Sequence, residues 1–467
     1  MPRDDDTATL REGISGRLAR FAVATDWDDI PDEVRRRAQH HILDATGIAL
    51  ASTAFDFADR TLAGLKELAG DGGAVGVIGK STHLPPRDAA IMNGVLCHGL
   101  DFDDTHLGGV VHPTASAFPT ALAAGVMAGA DGKSVVTAYI VGVEAAARLG
   151  AVAKGGFHRI GFHPTGVVGA FSSVLVAGKL LGLDETQIAS AQGIALSMAS
   201  GSLEFLEDGA WTKRLHPGWA AAAGITAASL ARAGFVGATA PYEGRFGLYN
   251  AYMGDERSSA DLSLAVDGLG ERWELMHTAI KPFAACHFTH GCIDAAIALS
   301  GQVDAARIKR VRALVPAEVV PVVCEPIANK RRPANSYDAQ FSIPYLVAVG
   351  LKRGRMGLED LKDASLSDPD LLSLADRVNY EVDPASGFPK HYSGEVIVEL
   401  NDGTTLRRRE QINRGAAERP ISNAEIVAKY RANAAYGVDQ TIVDRVESLL
   451  LRDRPADAGE LSDGLAG

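Results

Sequence analysis

The sequence predicts a mainly α-helical protein: one large helical domain built from both ends of the chain, with a smaller α+β domain inserted. Three observations carry that prediction. Apolar residues recur at helical spacing up to about residue 265, β-branched alternation is confined to two later stretches, and helical periodicity resumes after Pro420. We place the boundaries at 1–276 for the first helical part, 277–415 for the α+β domain and 416–467 for the second helical part.

Bulk properties narrow the function classes. A chain of 467 residues exceeds one ordinary core. With 46% hydrophobic and 22% charged residues it is an ordinary globular protein. A formal net charge of −12 argues against nucleic acid or an anionic membrane as the main partner. Four cysteines, Cys97, Cys286, Cys292 and Cys324, make no disulfide framework and fit a reducing, cytoplasmic setting. The start, MPRDDDTATLREG, is acidic and lacks the apolar core of a signal peptide. Uncharged stretches at 108–130, 161–178 and 187–203 are broken by histidine, proline or glutamine, so they read as buried helices and not membrane spans.

In chain order, Pro31-Asp32 opens a helix that runs to Ala51, with Val34, Ala38, Ile42 and Ala49 on one face. Helices follow over Pro119–Ala130, Gly132–Leu149, Gly166–Leu181, Glu185–Ala199 and Trp219–Ala233. Their Ala, Gly, Ser and Val linings predict closely approaching axes. "IKRVRALVPAEVVPVV" (Ile308–Val323) and "SGEVIVELNDGTTLRRRE" (Ser393–Glu410) read as strands, the second with a hairpin turn at Asn401-Asp402-Gly403. A helix is expected around Phe341–Val349. The last residues, DRPADAGELSDGLAG, read as a solvated tail.

Three motifs carry potential chemistry. "GGAVGVIGKST" (Gly72–Thr82) nearly spells a phosphate loop, but Ala74 stands where the first glycine is required, so a short strand and turn is expected. "KPFAACHFTHGC" (Lys281–Cys292) gathers Cys286, His287, His290 and Cys292 without the paired spacing of a zinc site. "CHGLDFDDTH" (Cys97–His106) holds Asp101, Asp103 and Asp104 between two histidines. Its spacing fits a metal site, a proton-transfer site or a capped loop. Three His-Pro pairs, His112-Pro113, His163-Pro164 and His216-Pro217, each read as an imidazole stationed before a helix start, a place suited to an anion.

Taken together, "NGVLCHGLDFDDTH", "HPTASAFPTALAAG", "GFHPTGVVGAFSS", "WTKRLHPGWAAAAG", "KPFAACHFTHGCIDA" and "DAQFSIPYLVA" resemble, in order, the MmgE/PrpD family of 2-methylcitrate dehydratases, cis-aconitate decarboxylases and iminodisuccinate epimerases. The resemblance implies a helical domain with an α+β lid, a homodimer, and no metal or organic cofactor. It implies catalytic roles for Asp101, His112, His163 and Lys213, and substrate binding by Thr105, Lys281, Cys286 and His287. Cys286 stands where the animal decarboxylases carry a histidine, the loop from Thr105 to His112 is one residue longer, and their tyrosine near Ile327 is absent.

The expected function is therefore a cofactor-independent lyase of the 2-methylcitrate dehydratase type. It would act on a small di- or tricarboxylate through a carbanion alpha to a carboxylate. His112 is the expected general acid–base, Asp101 the orienting group of a neighbouring imidazole or lysine or itself the base, and Lys213 and Lys281 the cations. Asp103, Asp104 and His106 are expected to be structural or to support the residues that touch substrate. The alternatives are an epimerase of a substituted succinate, a cis-aconitate decarboxylase or, outside the family, a divalent-metal hydrolase built on Asp101–Asp104.

Overall fold

The computed structural model describes residues 13–70 and 72–467; the acidic N-terminal stretch read above for a leader lies, but for its last residue, outside the described residues. The chain is mainly α-helical and forms two compact units. The first holds the described residues up to Gly99, then Asp103–Thr278 and Ser422–Gly467. The second holds Leu100–Phe102 and Ala279–Ile421.

The core of the first unit is a stack of helices buried on nearly every side: Pro86–His98, Thr114–Ala128, Gly132–Val152, Pro164–Leu180 and Thr212–Arg232. Small residues make this stacking possible. A Cβ on Gly94 would lie 2.4 Å from the Cα of Gly218, and one on Gly218 would lie 2.3 Å from the Ile91 carbonyl oxygen. Helices Pro86–His98 and Thr212–Arg232 thus touch backbone to backbone, which fixes the spacing of the side chains at their ends. Gly132–Val152 is long and apolar enough to cross a membrane, yet 94% of its apolar window is buried within the protein. It is a core helix.

Gly72–Thr82 supplies a strand, Val75–Val77, and a turn with Gly79 at φ +69°, before the antiparallel partner Lys80–Leu84. The helix Asn423–Gly437 packs on Asp32–Ser52. The end of the chain departs from expectation. Instead of a solvated tail, Ala458–Leu465 is a helix with Ala458, Leu461, Ser462 and Leu465 buried, and Ser462 Oγ accepts the Gly76 N–H at 2.8 Å. Its apolar residues fall three and four apart among many polar ones, too short a run to show a face in sequence.

In the second unit a four-stranded sheet has the spatial order Val378–Val382, Ile308–Val315, Gly394–Leu400, Thr405–Glu410. The first pair is parallel and the others antiparallel. Gly403, at φ +87°, closes the hairpin read at Asn401-Asp402-Gly403. Helices His290–Ser300 and Ile343–Arg353 pack on one another, and the former covers the two C-terminal strands. The strand read through Val323 stops at Val315. Pro316 has no N–H for the ladder, and helical turns follow at Ala317–Val319 and Val320–Val323.

Candidate active site

In the first unit, backbone features deliver imidazoles from three elements to one place. His98 is the last residue of its helix. His163 is the N-cap of Pro164–Leu180, extended as a residue before proline must be, and its N–H donates to the Gly201 carbonyl at 2.8 Å. His112 ends a tight loop in which His106 and Val111 exchange backbone hydrogen bonds of 2.8 and 3.3 Å. Within it Val110 has φ +52°, a strained value for a β-branched residue. The His112 N–H then donates to Thr165 Oγ1 at 3.0 Å, tying loop to helix.

The rings of His98, His112 and His163 are buried, with centroids 4.9, 5.6 and 6.0 Å apart pairwise. His112 Nδ1 donates to the Asp104 carbonyl at 2.8 Å, with Thr105 Oγ1 at 3.3 Å. A carbonyl can only accept, so the proton is on Nδ1 and the lone pair on Nε2. His98 Nδ1 meets Asp103 Oδ2 at 2.8 Å, and that carboxylate oxygen lies 3.8 Å from His112 Nδ1. His163 Nδ1 lies 3.0 Å from His216 Nδ1, so one of the two donates to the other.

The electrostatics keep His163 uncharged. Burial pushes its pKa well below the ordinary 6.5, and the neighbouring His216, Lys213, His98 and His112 push the same way. His216 is lowered to about 4, by burial first and then by His98 and Lys213. Lys213 is itself buried in the first turn of Thr212–Arg232, whose start is fixed by Arg214 Nε donating to the Gly99 carbonyl at 2.7 Å. A cleft of about 700 Å³, lined by Ser202, Phe205, Leu215, His216 and Trp219 among others, opens beside His216.

One expectation needs correction. His216 does not precede a helix; it lies inside Thr212–Arg232, and Pro217 is accommodated near the helix start, where its missing N–H costs only the bond to the Lys213 carbonyl. Asp103 has the supporting place expected of it, against the imidazoles. Asp104 is the structural aspartate: it takes His41 Nδ1 at 2.7 Å, Thr114 Oγ1 at 2.5 Å and the Thr114 N–H at 3.2 Å. His106 is structural too, bonded to Glu274 at 3.2 Å. Burial opposes the Glu274 charge, but His106, Arg272 and Arg148 outweigh it and hold the group at about 2.

The remaining predicted residues belong to the second unit. Lys281 Nζ donates to both Asp101 Oδ1 and the Asp101 carbonyl at 2.8 Å, and both side chains are buried. The double contact holds Asp101 at φ +49°. The Cys286 N–H donates to the Gln340 carbonyl at 2.8 Å. Asn413 Nδ2 donates to His287 Nε2 at 2.8 Å, which puts the His287 proton on Nδ1.

The triple-imidazole cluster also has donor chemistry for a metal. One ligand atom from each of His98, His112 and His163 lies within 4.8 Å of the others. Zinc–nitrogen bonds of about 2.1 Å demand closer convergence than that upper bound guarantees. The sequence does not single out His98, whose Asp103 partnership depends on how the chain turns after the helix.

Residues 16–260 match the MmgE/PrpD N-terminal domain and residues 283–452 the MmgE/PrpD C-terminal domain. A cis-aconitate decarboxylase of Aspergillus terreus is 28% identical, over 99% of this chain and 97% of its own length. The cis-aconitate decarboxylase of Homo sapiens is 31% identical over 79% and 76%. The 2-methylcitrate dehydratase of Escherichia coli K12 is 25% identical over 85% of each. The relatives are lyases of two kinds, and this chain, a lyase like them, belongs to the MmgE/PrpD family.

Proposed function

We propose that this lyase works without a cofactor on a small di- or tricarboxylate, forming or quenching a carbanion next to a carboxylate, with dehydration of the 2-methylcitrate type as its reaction. The observation that carries the reading is the buried cluster of His98, His112 and His163 beside Lys213. Proton loss alpha to a carboxylate builds negative charge that needs preorganised donors and cations. Lys213 supplies the cation. His216 Nδ1–H donating to His163 leaves His163 Nε2–H as a neutral donor to a carboxylate oxygen. His112 serves as general acid–base through Nε2, its Nδ1–H held by the Asp104 carbonyl. Thr105 steadies that ring, and Asp101 fixes Lys281. Lys281, Cys286 and His287 are assigned to substrate binding by the family resemblance.

Decarboxylation of cis-aconitate is the second reading, favoured by the 31% identity to the human decarboxylase. It uses the same groups in the opposite sense, protonating the carbanion left after CO₂ departs. Incubation with 2-methylcitrate, citrate, cis-aconitate and substituted succinates in D₂O, followed by NMR, separates the readings. Dehydration gives an alkene and decarboxylation a deuterated methylene; epimerisation gives exchange with no alkene. If every compound is unaltered and unexchanged, the substrate class is wrong. Activity that persists in chelator is expected, and loss restored by added metal would replace this mechanism with a metal-assisted one.

We also propose a homodimer. Trp211, Leu215 and Trp219, four residues apart at the start of one helix, are 45%, 41% and 49% exposed. Such a stripe is apolar surface that a second copy would cover. Light scattering after size exclusion tests it, with Trp219→Asp expected to shift the mass towards the monomer.

A further inference from the structure

We propose that His98, oriented by Asp103, is the group that takes and returns the substrate's carbon-bound proton, an assignment that rests on the carbanion chemistry proposed above. His98 is 1% exposed and Asp103 fully buried, and their 2.8 Å contact is a hydrogen bond from Nδ1–H to a carboxylate. That contact fixes the tautomer, so the lone pair is on Nε2. His98 Nε2 is buried with no hydrogen-bond partner among the described residues. A buried, unsatisfied acceptor in a native protein calls for an explanation, and a proton-accepting role supplies one.

The three imidazoles of the cluster are not equivalent. His163 leans on another imidazole, and positive neighbours oppose its protonation. His112 leans on a neutral carbonyl, with the Asp103 carboxylate 3.8 Å away. His98 has a carboxylate at 2.8 Å to balance the charge it acquires. In the step we assign, the substrate C–H bond breaks and its electron pair stays on the carbon, delocalised into the adjacent carboxylate. The proton goes to His98 Nε2, and the resulting imidazolium is paired with Asp103. In the reverse sense Nε2–H returns the proton to a carbanion. In dehydration the imidazolium form of His112 gives its Nε2–H to the leaving hydroxyl as the C–O bond breaks with its electron pair on oxygen, so that water departs and the carbanion pair closes the C=C bond; His98 is the base and His112 the acid.

The test combines kinetics with a tautomer measurement. With wild type active on 2-methylcitrate or cis-aconitate, His98→Gln is expected to lower kcat about 10²–10⁴-fold with KM changed less than about threefold. Asp103→Asn donates to Nδ1 and so forces the proton to Nε2. It should match His98→Gln in kcat, and the double variant should be no slower than either. Long-range ¹⁵N–¹H spectra of the folded wild type should show His98 protonated at Nδ1, switching to Nε2 in Asp103→Asn; a purely structural pair predicts no kinetic equivalence with this switch. The spectrum of wild type stands even if a variant does not fold. An active wild type with an equally active His98→Gln, or His98 protonated at Nε2 in wild type, overturns the assignment. Inactivity of wild type on every compound refutes instead the substrate class on which it rests.

Discussion

Buried carboxylates at the sheet of the second unit and several buried groups of the first unit show opposite treatments of charge. In the second, Asp383, Glu395 and Glu410 are buried at the sheet, and each meets an arginine that reaches solvent: Arg409 bonds Asp383 at 2.7 Å and Glu395 at 3.1 Å, and Arg408 bonds Glu410 at 2.7 Å. The charges are matched where they stand. In the first unit burial leaves groups displaced from their ordinary titration. Asp44 is raised to about 6 despite its Lys429 partner, Glu144 to about 7 despite backbone N–H donors, and His163 and His216 are lowered. Matched pairs hold a fold together, whereas displaced titrations beside other imidazoles, as at His163 and His216, mark a candidate site for chemistry.

This contrast can be broken by substitution. The largest effect is expected in the first unit: His112→Asn should lower kcat about 10²–10⁴-fold with a melting temperature close to wild type, read by steady-state kinetics beside thermal unfolding. Lys213→Ala should follow, with a loss of about 10²–10³-fold in kcat/KM, as for removal of one preorganised charge. In the second unit the order of readouts inverts. Arg409→Ala removes a partner shared by two buried carboxylates; because the arginine is partly solvated, about 1–2 kcal/mol of stability is expected to go, seen as a lower urea midpoint. The kcat should stay within twofold. Equal damage to kcat by Arg409→Ala and Lys213→Ala would erase the distinction.

The smallest expected effect is a pH dependence. His163 and His216 have folded-state values below the ordinary 6.5, so the unfolded chain binds protons first on acidification. Their contribution to stability is complete above pH 6.5 and drains away as pH falls towards about 4. Melting temperature should decline across that window, and His216→Gln should flatten the decline. A profile that is unchanged in the variant would show that His216 titrates normally.

The sequence disclosed much of this, unevenly. Proline and glycine signals were local, so the Asn401-Asp402-Gly403 hairpin and the extended His163 before Pro164 were legible from a few residues. The resemblance brought out His112, His163 and Lys213. Links between distant residues left no such mark. His41 reaches Asp104 across 63 positions, and His163 reaches His216 across 53. Helical alternation placed Asp103 away from Asp101, which assumed a continuous helix; the helix ends at His98, and the turn that follows aims Asp103 back at it. Pro217 was read as a boundary because prolines usually are, although near a helix start little is lost by its missing donor.

The glycine contact between Gly94 and Gly218 has a consequence for redesign. Where two helices meet through main chain alone, no side chain is available to re-rotamer and absorb a change. The relative placement of His98 and Lys213 is then a property of the backbones and is insulated from substitutions in the pocket wall. New substrates are best sought by substitutions that leave that crossing untouched, because the groups proposed to react then keep their alignment.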